Sequence, residues 1–286
     1  MRDLLRRLAA AFVVPLFAAS CAQSVPEPTI LRVSAIPDQA PENVRKQHQA
    51  VIEIVCKAAQ VRCEWVDIDS YEGVVEALGA GSINMAYLGG ATFVRARKRY
   101  GAIPVAIRDV DTRFSSALVV RADSPAQRLE NLRGQSFSFG NQSSTSGHVM
   151  ARYYLRRAGV DPERFFSEVD YSANHDETIA RVANGEVAAG IVNAQVAYAA
   201  MRASGPLAGR LRVLWETPSY VDYVWVVRRE LPPKLRERLL ESFLDVDRDD
   251  ARQAAALLNE GAGGFLPARD TDYERMTEAL AQIGMK

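Results

Sequence analysis

Apolar and polar positions follow two different periods along the chain, and these periods predict alternating strands and helices. Short runs dense in apolar residues at 31–35, 62–68 and 85–88 predict strands. Between them, apolar positions three and four residues apart predict helices at 42–59 and 71–80. Repeated strand–helix units of this kind indicate open, mainly parallel sheets, whose ligands collect beyond the carboxyl ends of the strands.

The second half of the chain repeats the pattern. Strands are predicted at 137–139, 167–171 and 190–192, with helices from 149 and over 176–184. A second sheet therefore follows the first. The sequence predicts an α/β protein of two lobes.

Two further apolar runs, 116–120 and 224–227, flank this second half. We therefore expect the chain to cross to the second lobe near Val120 and to return near Val224, so that two crossovers form a hinge. The predicted first lobe is 31–120 plus 224–286, and the second is 121–223. Three more helices would complete the first lobe, at 234–244, 249–258 and 273–283.

The N-terminus carries the pattern of a secretory signal. Three arginines precede an apolar run at 8–19 that is too short to span a bilayer as a stable helix. The residues Ala18-Ala19-Ser20-Cys21 resemble a bacterial lipobox, with Ala where Leu is usual. This predicts a signal peptide with its lipobox over 1–21, cleaved so that an acylated Cys21 becomes the mature N-terminus, and a polar tether over 22–30. Cleavage after Ala22 is the alternative. Both place the mature protein outside the cytoplasmic membrane.

Composition narrows the possible partners. Lys plus Arg equals Asp plus Glu, at 35 each, whereas a nucleic-acid surface would need a basic excess. Cys56 and Cys63 are expected either to pair in an oxidising compartment or to remain two separate buried thiols. No His or acidic cluster accompanies them in the sequence, so neither a metal site nor a cofactor is predicted.

Three consecutive hydroxyl residues, Ser144, Thr145 and Ser146, lie where a predicted strand ends and a helix begins. Their hydroxyls, the free N–H groups of the first helical turn and the positive end of the helix dipole would face one point. An ordinary N-cap on a surface loop is the alternative, but a cap needs only one such residue. The pattern favours an anion site.

These residues belong to a set of eight short motifs. Their order and spacing along the chain, taken together, are specific to one protein family. Through them the chain resembles the phosphonate/phosphite substrate-binding proteins of ABC importers, a group of type II periplasmic binding proteins. The resemblance covers essentially the whole mature sequence. The landmarks are 36–41, 71–78, 86–91, 144–147, 174–176, 182–185, 215–218 and 228–232.

The resemblance implies two α/β lobes that close on a tetrahedral phosphorus oxyanion. Ser144, Thr145 and Ser146 would hold phosphoryl oxygens, and His175 would donate from the opposite side. Tyr71 would reach across the cleft from the other lobe. Without the resemblance, His175 would be interpreted as a helix cap or surface imidazole and Tyr71 as a packed aromatic.

The substituent on phosphorus is expected near Gln195 and Asp222. Relatives that bind aminoalkylphosphonates carry a Glu where this chain has Gln195, and an Asp in the stretch that contains Asp222. With one carboxylate missing, a ligand without positive charge should bind better than 2-aminoethylphosphonate. The alternative for Asp222 is a turn cap or an ion pair with a surface arginine.

The resemblance therefore implies a monomeric, non-catalytic receptor that serves a permease in the cytoplasmic membrane. A sensor that reports the ligand to a membrane histidine kinase is the alternative. A hydrolase is less favoured, because Ser146, His175 and Asp176 lack a Gly-x-Ser-x-Gly signature. Of the remaining histidines, His48 is expected on the solvated side of its helix, and His148 in support of the hydroxyl loop.

Overall fold

The computed structural model describes residues 27–28, 30–205 and 207–285. Within these ranges, no helix combines the length and the apolar character that a membrane crossing requires. The predicted signal peptide and lipobox, Cys21 among them, and most of the tether lie outside the described residues. The first strand begins at Ile30, the last residue of that tether.

Strands and helices alternate along the described chain, as the periods predict. The strands are β1 (Ile30–Ala35), β2 (Arg62–Trp65), β3 (Met85–Leu88), β4 (Ile103–Arg108), β5 (Ser116–Arg121), β6 (Ser136–Phe139), β7 (Glu168–Tyr171), β8 (Ala189–Asn193), β9 (Leu211–Glu216), β10 (Val224–Val227) and β11 (Phe265–Pro267). The α-helices are α1 (Pro41–Ala58), α2 (Tyr71–Ala80), α3 (Gly90–Tyr100), α4 (Met150–Arg157), α5 (Pro162–Phe165), α6 (His175–Asn184), α7 (Ala194–Arg202), α8 (Pro233–Leu244), α9 (Ala251–Glu260) and α10 (Glu274–Gln282).

The strands form two mixed sheets, one in each lobe. The first has the order β11-β4-β10-β3-β1-β2, and the second β7-β6-β8-β5-β9. In the first sheet β1 pairs in parallel with β2 and β3, whereas β10 runs antiparallel between β3 and β4. In the second sheet β6 is parallel to β7 and β8. The predicted two-lobed α/β architecture is present.

The first crossing between the lobes differs from the prediction. Strand β5 pairs with β8 and β9, so it belongs to the second sheet. The chain therefore crosses at 109–115, before β5, and not near Val120. The reason is that β5 is buried from Ser116 to Val120, and a uniformly buried strand does not reveal which sheet it joins. The return crossing lies at 217–223, close to the predicted Val224.

The two crossing segments are joined to each other. Phe114 N–H donates to the Tyr220 carbonyl at 2.8 Å, and Tyr220 N–H donates to the Phe114 carbonyl at 2.9 Å. Further along, Asp222 N–H donates to the Asp111 carbonyl at 3.1 Å. The hinge is therefore a short two-stranded ribbon, here called the hinge ribbon (residues 111–114 and 220–222).

The predictions for Cys56 and His48, both in α1, have different outcomes. In the structure Cys56, in its last turn, forms a disulfide with Cys63 of β2, with 6.1 Å between the Cα atoms. His48, in contrast, is not solvated: it is 2 % exposed, and its Nδ1 lies 2.9 Å from Glu260 Oε1. Helix α9 covers this side of α1, a tertiary contact that the period of α1 alone could not predict.

Candidate functional site

The hydroxyl loop connects the end of β6 to a wide helical turn, Thr145–Val149, that continues into α4. Ser144, Thr145 and Ser146 are all buried there. Ser144 is the N-cap, since its Oγ accepts the Gly147 N–H at 3.0 Å. A cap accounts for Ser144 alone. The hydroxyls of Thr145 and Ser146 lie beside it without a capping role.

Two glycines give the loop its tight form. The Gly140 N–H donates to the Gly147 carbonyl at 2.8 Å. A Cβ on Gly140 would lie 3.1 Å from the Gly147 Cα, and a Cβ on Gly147 would lie 3.0 Å from the Gly140 Cα. Because both obstacles are backbone atoms, any side chain at either position would force the loop apart.

His148 lies beside the hydroxyl loop and hydrogen-bonds to its backbone. Its Nδ1 lies 2.7 Å from the Gln142 carbonyl, and Arg152 Nε donates to its Nε2 at 3.0 Å. Burial lowers the pKa of His148 to about 4. The ring is therefore neutral at pH 7, so Nδ1–H donates to Gln142 while Nε2 accepts from Arg152. This arrangement fits the supporting role expected of His148.

Thr145 reaches the first lobe at the start of α3. The Ala91 N–H donates to Thr145 Oγ1 at 3.0 Å, and the neighbouring Gly90 N–H donates to Asp222 Oδ1 at 2.9 Å. A Cβ on Gly89 would lie 2.7 Å from Thr145 Oγ1, so glycine permits this approach. The lobes are therefore closed against each other here. The Thr145 side chain also lies within hydrogen-bonding reach of the Asp222 carboxyl group.

His175 lies on the opposite side, at the first position of α6. Its backbone N–H donates to the Asp38 carbonyl of the first lobe at 2.9 Å. Its Nε2 lies 3.4 Å from Ser146 Oγ, while the buried Nδ1 has no partner in the described part of the chain. Burial lowers the pKa of His175 to about 4, so the neutral ring can donate through Nδ1 and accept from Ser146.

Two more buried polar atoms lack partners among residues 27–28, 30–205 and 207–285 and belong to predicted site residues. Tyr71, at the first position of α2, has an unpartnered hydroxyl, and Asp222 an unpartnered Oδ2. Burial raises the pKa of both groups well above their usual values. Tyr71 therefore keeps its proton at neutral pH, and the Asp222 carboxyl group holds its proton to a higher pH than usual. Ser34, near the end of β1, has an unpartnered Oγ that the sequence analysis missed.

Gln195 lies apart from this group. It is near the start of α7, where its backbone N–H donates to Asn193 Oδ1 at 2.8 Å, and it lines a cavity of about 460 Å³ between the lobes. Asp222 is not among the described residues that line this cavity. Gln195 and Asp222 were expected beside one substituent, but the structure does not bring them together.

The structure also brings in residues that the sequence analysis did not select. Asp38 follows β1, and its Oδ2 accepts the Tyr223 hydroxyl at 2.6 Å. Tyr87 stacks on Tyr223 with 5.1 Å between ring centroids. A signal for Asp38 did exist, because polar side chains just beyond the carboxyl end of a strand are where α/β proteins bind ligands. No sequence pattern of this kind pointed to Tyr223.

The hydrolase alternative finds no support in the geometry. Ser146 and His175 are 3.4 Å apart, but a triad also needs an acid that orients the imidazole. The expected acid, Asp176, instead accepts the Ala40 N–H at 2.9 Å. The arrangement is suited to binding, because hydroxyls and a neutral imidazole lie where they can donate to an anion.

Comparisons with known proteins agree with this geometry. A probable ABC transporter phosphite binding protein from Prochlorococcus marinus is 29% identical over 265 residues, covering 88% of this chain and 89% of the relative. A phosphate-import protein from Mycolicibacterium smegmatis is 25% identical over 270 residues, covering 86% and 84%.

Solved structures resemble the fold closely. The Prochlorococcus PhnD1 structure in complex with methylphosphonate matches with a TM-score of 0.85 and 27% identity, over 91% of this chain and all of that chain. A binding protein component of an ABC phosphonate transporter from Pseudomonas aeruginosa matches in fold, with a TM-score of 0.79 and 19% identity, over 89% of this chain and 86% of its own. The predicted periplasmic binding protein fold is confirmed.

The family model for ABC transporter, phosphonate, periplasmic substrate-binding protein matches residues 33–273, nearly the whole described body. Proteins of this family are binding components of importers and not enzymes, as the resemblance implied. The chain belongs to the family of periplasmic substrate-binding proteins of phosphonate ABC transporters.

Proposed function

We propose that this protein captures a small phosphorus oxyanion, namely phosphite, phosphate or methylphosphonate, and delivers it to an ABC permease as a monomer. The observation that carries the proposal is the set of buried polar groups around the closed cleft. Tyr71 and His175 have proton-bearing atoms without partners, and the hydroxyls of Ser144, Thr145 and Ser146 lie beside them. Buried donors without acceptors are costly, and an enclosed oxyanion would satisfy them.

The donors come from both lobes, which suits a tetrahedral anion. Tyr71 belongs to the first lobe, whereas His175 and the hydroxyl loop belong to the second. An anion bound between them would join the lobes by hydrogen bonds and favour the closed state by its differential affinity. The ligands in the names of the relatives, phosphite, phosphate and methylphosphonate, support this choice of anion.

The substituent on phosphorus should carry no positive charge. Arg202 lines the cavity at Gln195 and would repel an ammonium group, whereas Arg108 is paired with Asp111 and Glu260. The cavity also has two carboxyl groups, and each already has a partner: Asp38 accepts the Tyr223 hydroxyl, and Glu260 lies beside His48 and Arg108. An ammonium ion there would be buried with incomplete compensation.

Binding of a ligand series tests both points. In isothermal titrations, phosphite, phosphate and methylphosphonate should bind, and 2-aminoethylphosphonate should bind at least roughly tenfold more weakly than the tightest of them. In a thermal-shift screen, a ligand at about 100 times its Kd should add roughly 2.7 kcal/mol to the free energy of unfolding. Sulfate is the control anion. Absence of binding by all three small phosphorus oxyanions would refute the proposed function, and tightest binding of the amine would refute the substituent preference.

We also propose that Cys21 is acylated and anchors the protein to a membrane. A Cys21→Ser variant should then move from the membrane fraction to the soluble extracytoplasmic fraction, because two acyl chains are enough for stable anchoring. Intact-mass measurement of the native protein is the direct check. A mature chain that starts at Gln23 and carries no lipid would contradict the anchor.

A further inference from the structure

Two helices from different lobes, α1 of the first and α6 of the second, meet at their N-termini. The backbone N–H of His175, the first residue of α6, donates to the Asp38 carbonyl at 2.9 Å. Ala40, directly before α1, donates in the opposite direction: its N–H lies 2.9 Å from Asp176 Oδ2. Two hydrogen bonds therefore join the lobes at this point, here called the α1–α6 junction (residues 38–40 and 175–176).

The N-terminus of α1 takes its acceptor from the other lobe. Its N-cap residue is Ala40, which has no side-chain oxygen and so cannot cap the helix itself. The Asp176 carboxylate accepts the Ala40 N–H instead, and it brings negative charge to the positive end of the α1 dipole. Because this carboxylate belongs to the second lobe, α1 has it only while the lobes are closed.

Asp176 is not needed as the cap of its own helix. Asn174, the N-cap of α6, accepts the Glu177 N–H at 2.9 Å. Glu177 Oε2 in turn accepts the Ala173 N–H at 2.7 Å. Of the two acidic residues in the first turn of α6, Asp176 therefore bonds to the other lobe and Glu177 to its own.

Side-chain hydrogen bonds that join the lobes between α4 and α10 are longer. The Tyr153 hydroxyl donates to Glu278 Oε1 at 3.4 Å, and Arg156 Nη1 donates to the Gln282 carbonyl at 3.4 Å. Both distances exceed the usual range for hydrogen bonds in proteins, whereas the bond to Asp176 lies within it. That bond also has a carboxylate as its acceptor, which makes it stronger than a neutral bond. The α1–α6 junction therefore contributes more to closure than these contacts.

We propose that Asp176 is a latch, which raises the affinity for the oxyanion by stabilising the closed state and not by binding the ligand. This inference rests on the proposed function, in which closure encloses the anion. Asp176 follows His175, so its negative charge lies close to the anion site and by itself repels the ligand. Charge and latch therefore predict opposite results. Removal of the carboxylate should tighten binding if only its charge matters, and weaken binding if the latch matters.

Isothermal titration of Asp176→Ala with phosphite, phosphate and methylphosphonate tests the latch. Affinity should fall roughly tenfold, because the lost bond has a charged partner. The factor should be the same for each anion that binds, since a smaller closed fraction raises every apparent Kd equally. In stopped-flow measurements the change should appear mainly as faster dissociation, because the closed complex opens more readily.

Glu177→Ala is the matched control. It removes an equal charge from the same helical turn but no bond between the lobes, so it should bind at least as tightly as the unmodified protein. Ala40→Pro removes the donor of the bond and leaves the charge of Asp176 in place. Proline suits this position, since the φ of Ala40 is −57°. This variant should lose affinity by the same factor as Asp176→Ala, and the double variant should lose little more.

The latch is refuted if a folded Asp176→Ala variant binds as tightly as the unmodified protein or more tightly, or if Glu177→Ala loses as much affinity. It is also refuted if the losses of Asp176→Ala and Ala40→Pro add in the double variant, because two changes that break one bond cannot add. Should Asp176→Ala fail to fold by circular dichroism, Ala40→Pro is held to the same expectation. Failure of the proposed function looks different, since phosphite, phosphate and methylphosphonate would all fail to bind the unmodified protein.

Discussion

Replacing Thr145 by Val should weaken binding of the tightest oxyanion by about 10- to 150-fold, which corresponds to roughly 1.5 to 3 kcal/mol. Valine keeps the shape of the side chain but removes the hydroxyl. A hydrogen bond to a charged oxygen is then lost. The Ala91 N–H, which donates to Thr145 Oγ1 at 3.0 Å, also loses its acceptor in the closed state. Both losses oppose closure around the anion.

Isothermal titration of Thr145→Val measures this effect. The matched control is Thr277→Val, because Thr277 lies in α10 and its hydroxyl donates to the carbonyl of Tyr273, the N-cap residue of that helix, at 3.2 Å. The control should bind as the unmodified protein does. Unchanged affinity in a folded Thr145→Val variant would remove the hydroxyl loop from the binding site.

Acidification should destabilise the protein between pH 6.5 and 4 through His148. Burial lowers the pKa of this imidazole to about 4 in the folded state, against about 6.5 for an exposed histidine. In this window the unfolded chain binds the proton and the folded chain does not, so the free energy of unfolding falls as the pH falls. The full loss is roughly 3 kcal/mol. His175, whose pKa burial also lowers to about 4, acts in the same direction.

Buried carboxyl groups oppose this trend, so the histidine must be isolated by a variant. Burial raises the pKa values of Asp38, Asp111 and Asp222, which makes the folded state hold their protons more tightly. Urea unfolding of the unmodified protein and of His148→Gln at pH 7, 6, 5 and 4 gives the difference directly. That difference should shrink by roughly 3 kcal/mol on acidification. A constant difference, as expected for Thr277→Val, would contradict a neutral buried His148.

Local patterns predicted the parts of the site that depend on short segments. The hydroxyl loop follows from three adjacent residues between a strand and a helix. Ser144 to Ser146 are accordingly buried together in one turn. Tyr71 and His175 both begin helices, where the sequence placed them. In each case the position in the fold is encoded within about ten residues, whereas the ligand roles of Tyr71 and His175 were implied by the family resemblance alone.

What the sequence could not predict depends on contacts between distant segments. The sheet that β5 joins is decided by pairing with β8 and β9, and its apolar run would suit either sheet. His48 is buried by α9, more than two hundred residues away in the chain. Tyr223 is fixed by Asp38 and Tyr87, which lie more than a hundred residues away in the chain. Periodicity reports the burial of one element and carries no information about its partner.

The hinge ribbon has a consequence for the kinetics of ligand choice. Asp222 belongs to this ribbon through its N–H bond to the Asp111 carbonyl, and Tyr223 is the next residue. Residues beside a rotation axis move little when lobes open, whereas Tyr71 and Thr145 separate with their lobes. We therefore expect an incoming ligand to meet Asp222 in its final position before closure. Contacts with Asp222 would then act mainly on the association rate constant, and contacts with Tyr71 and Thr145 on the residence time.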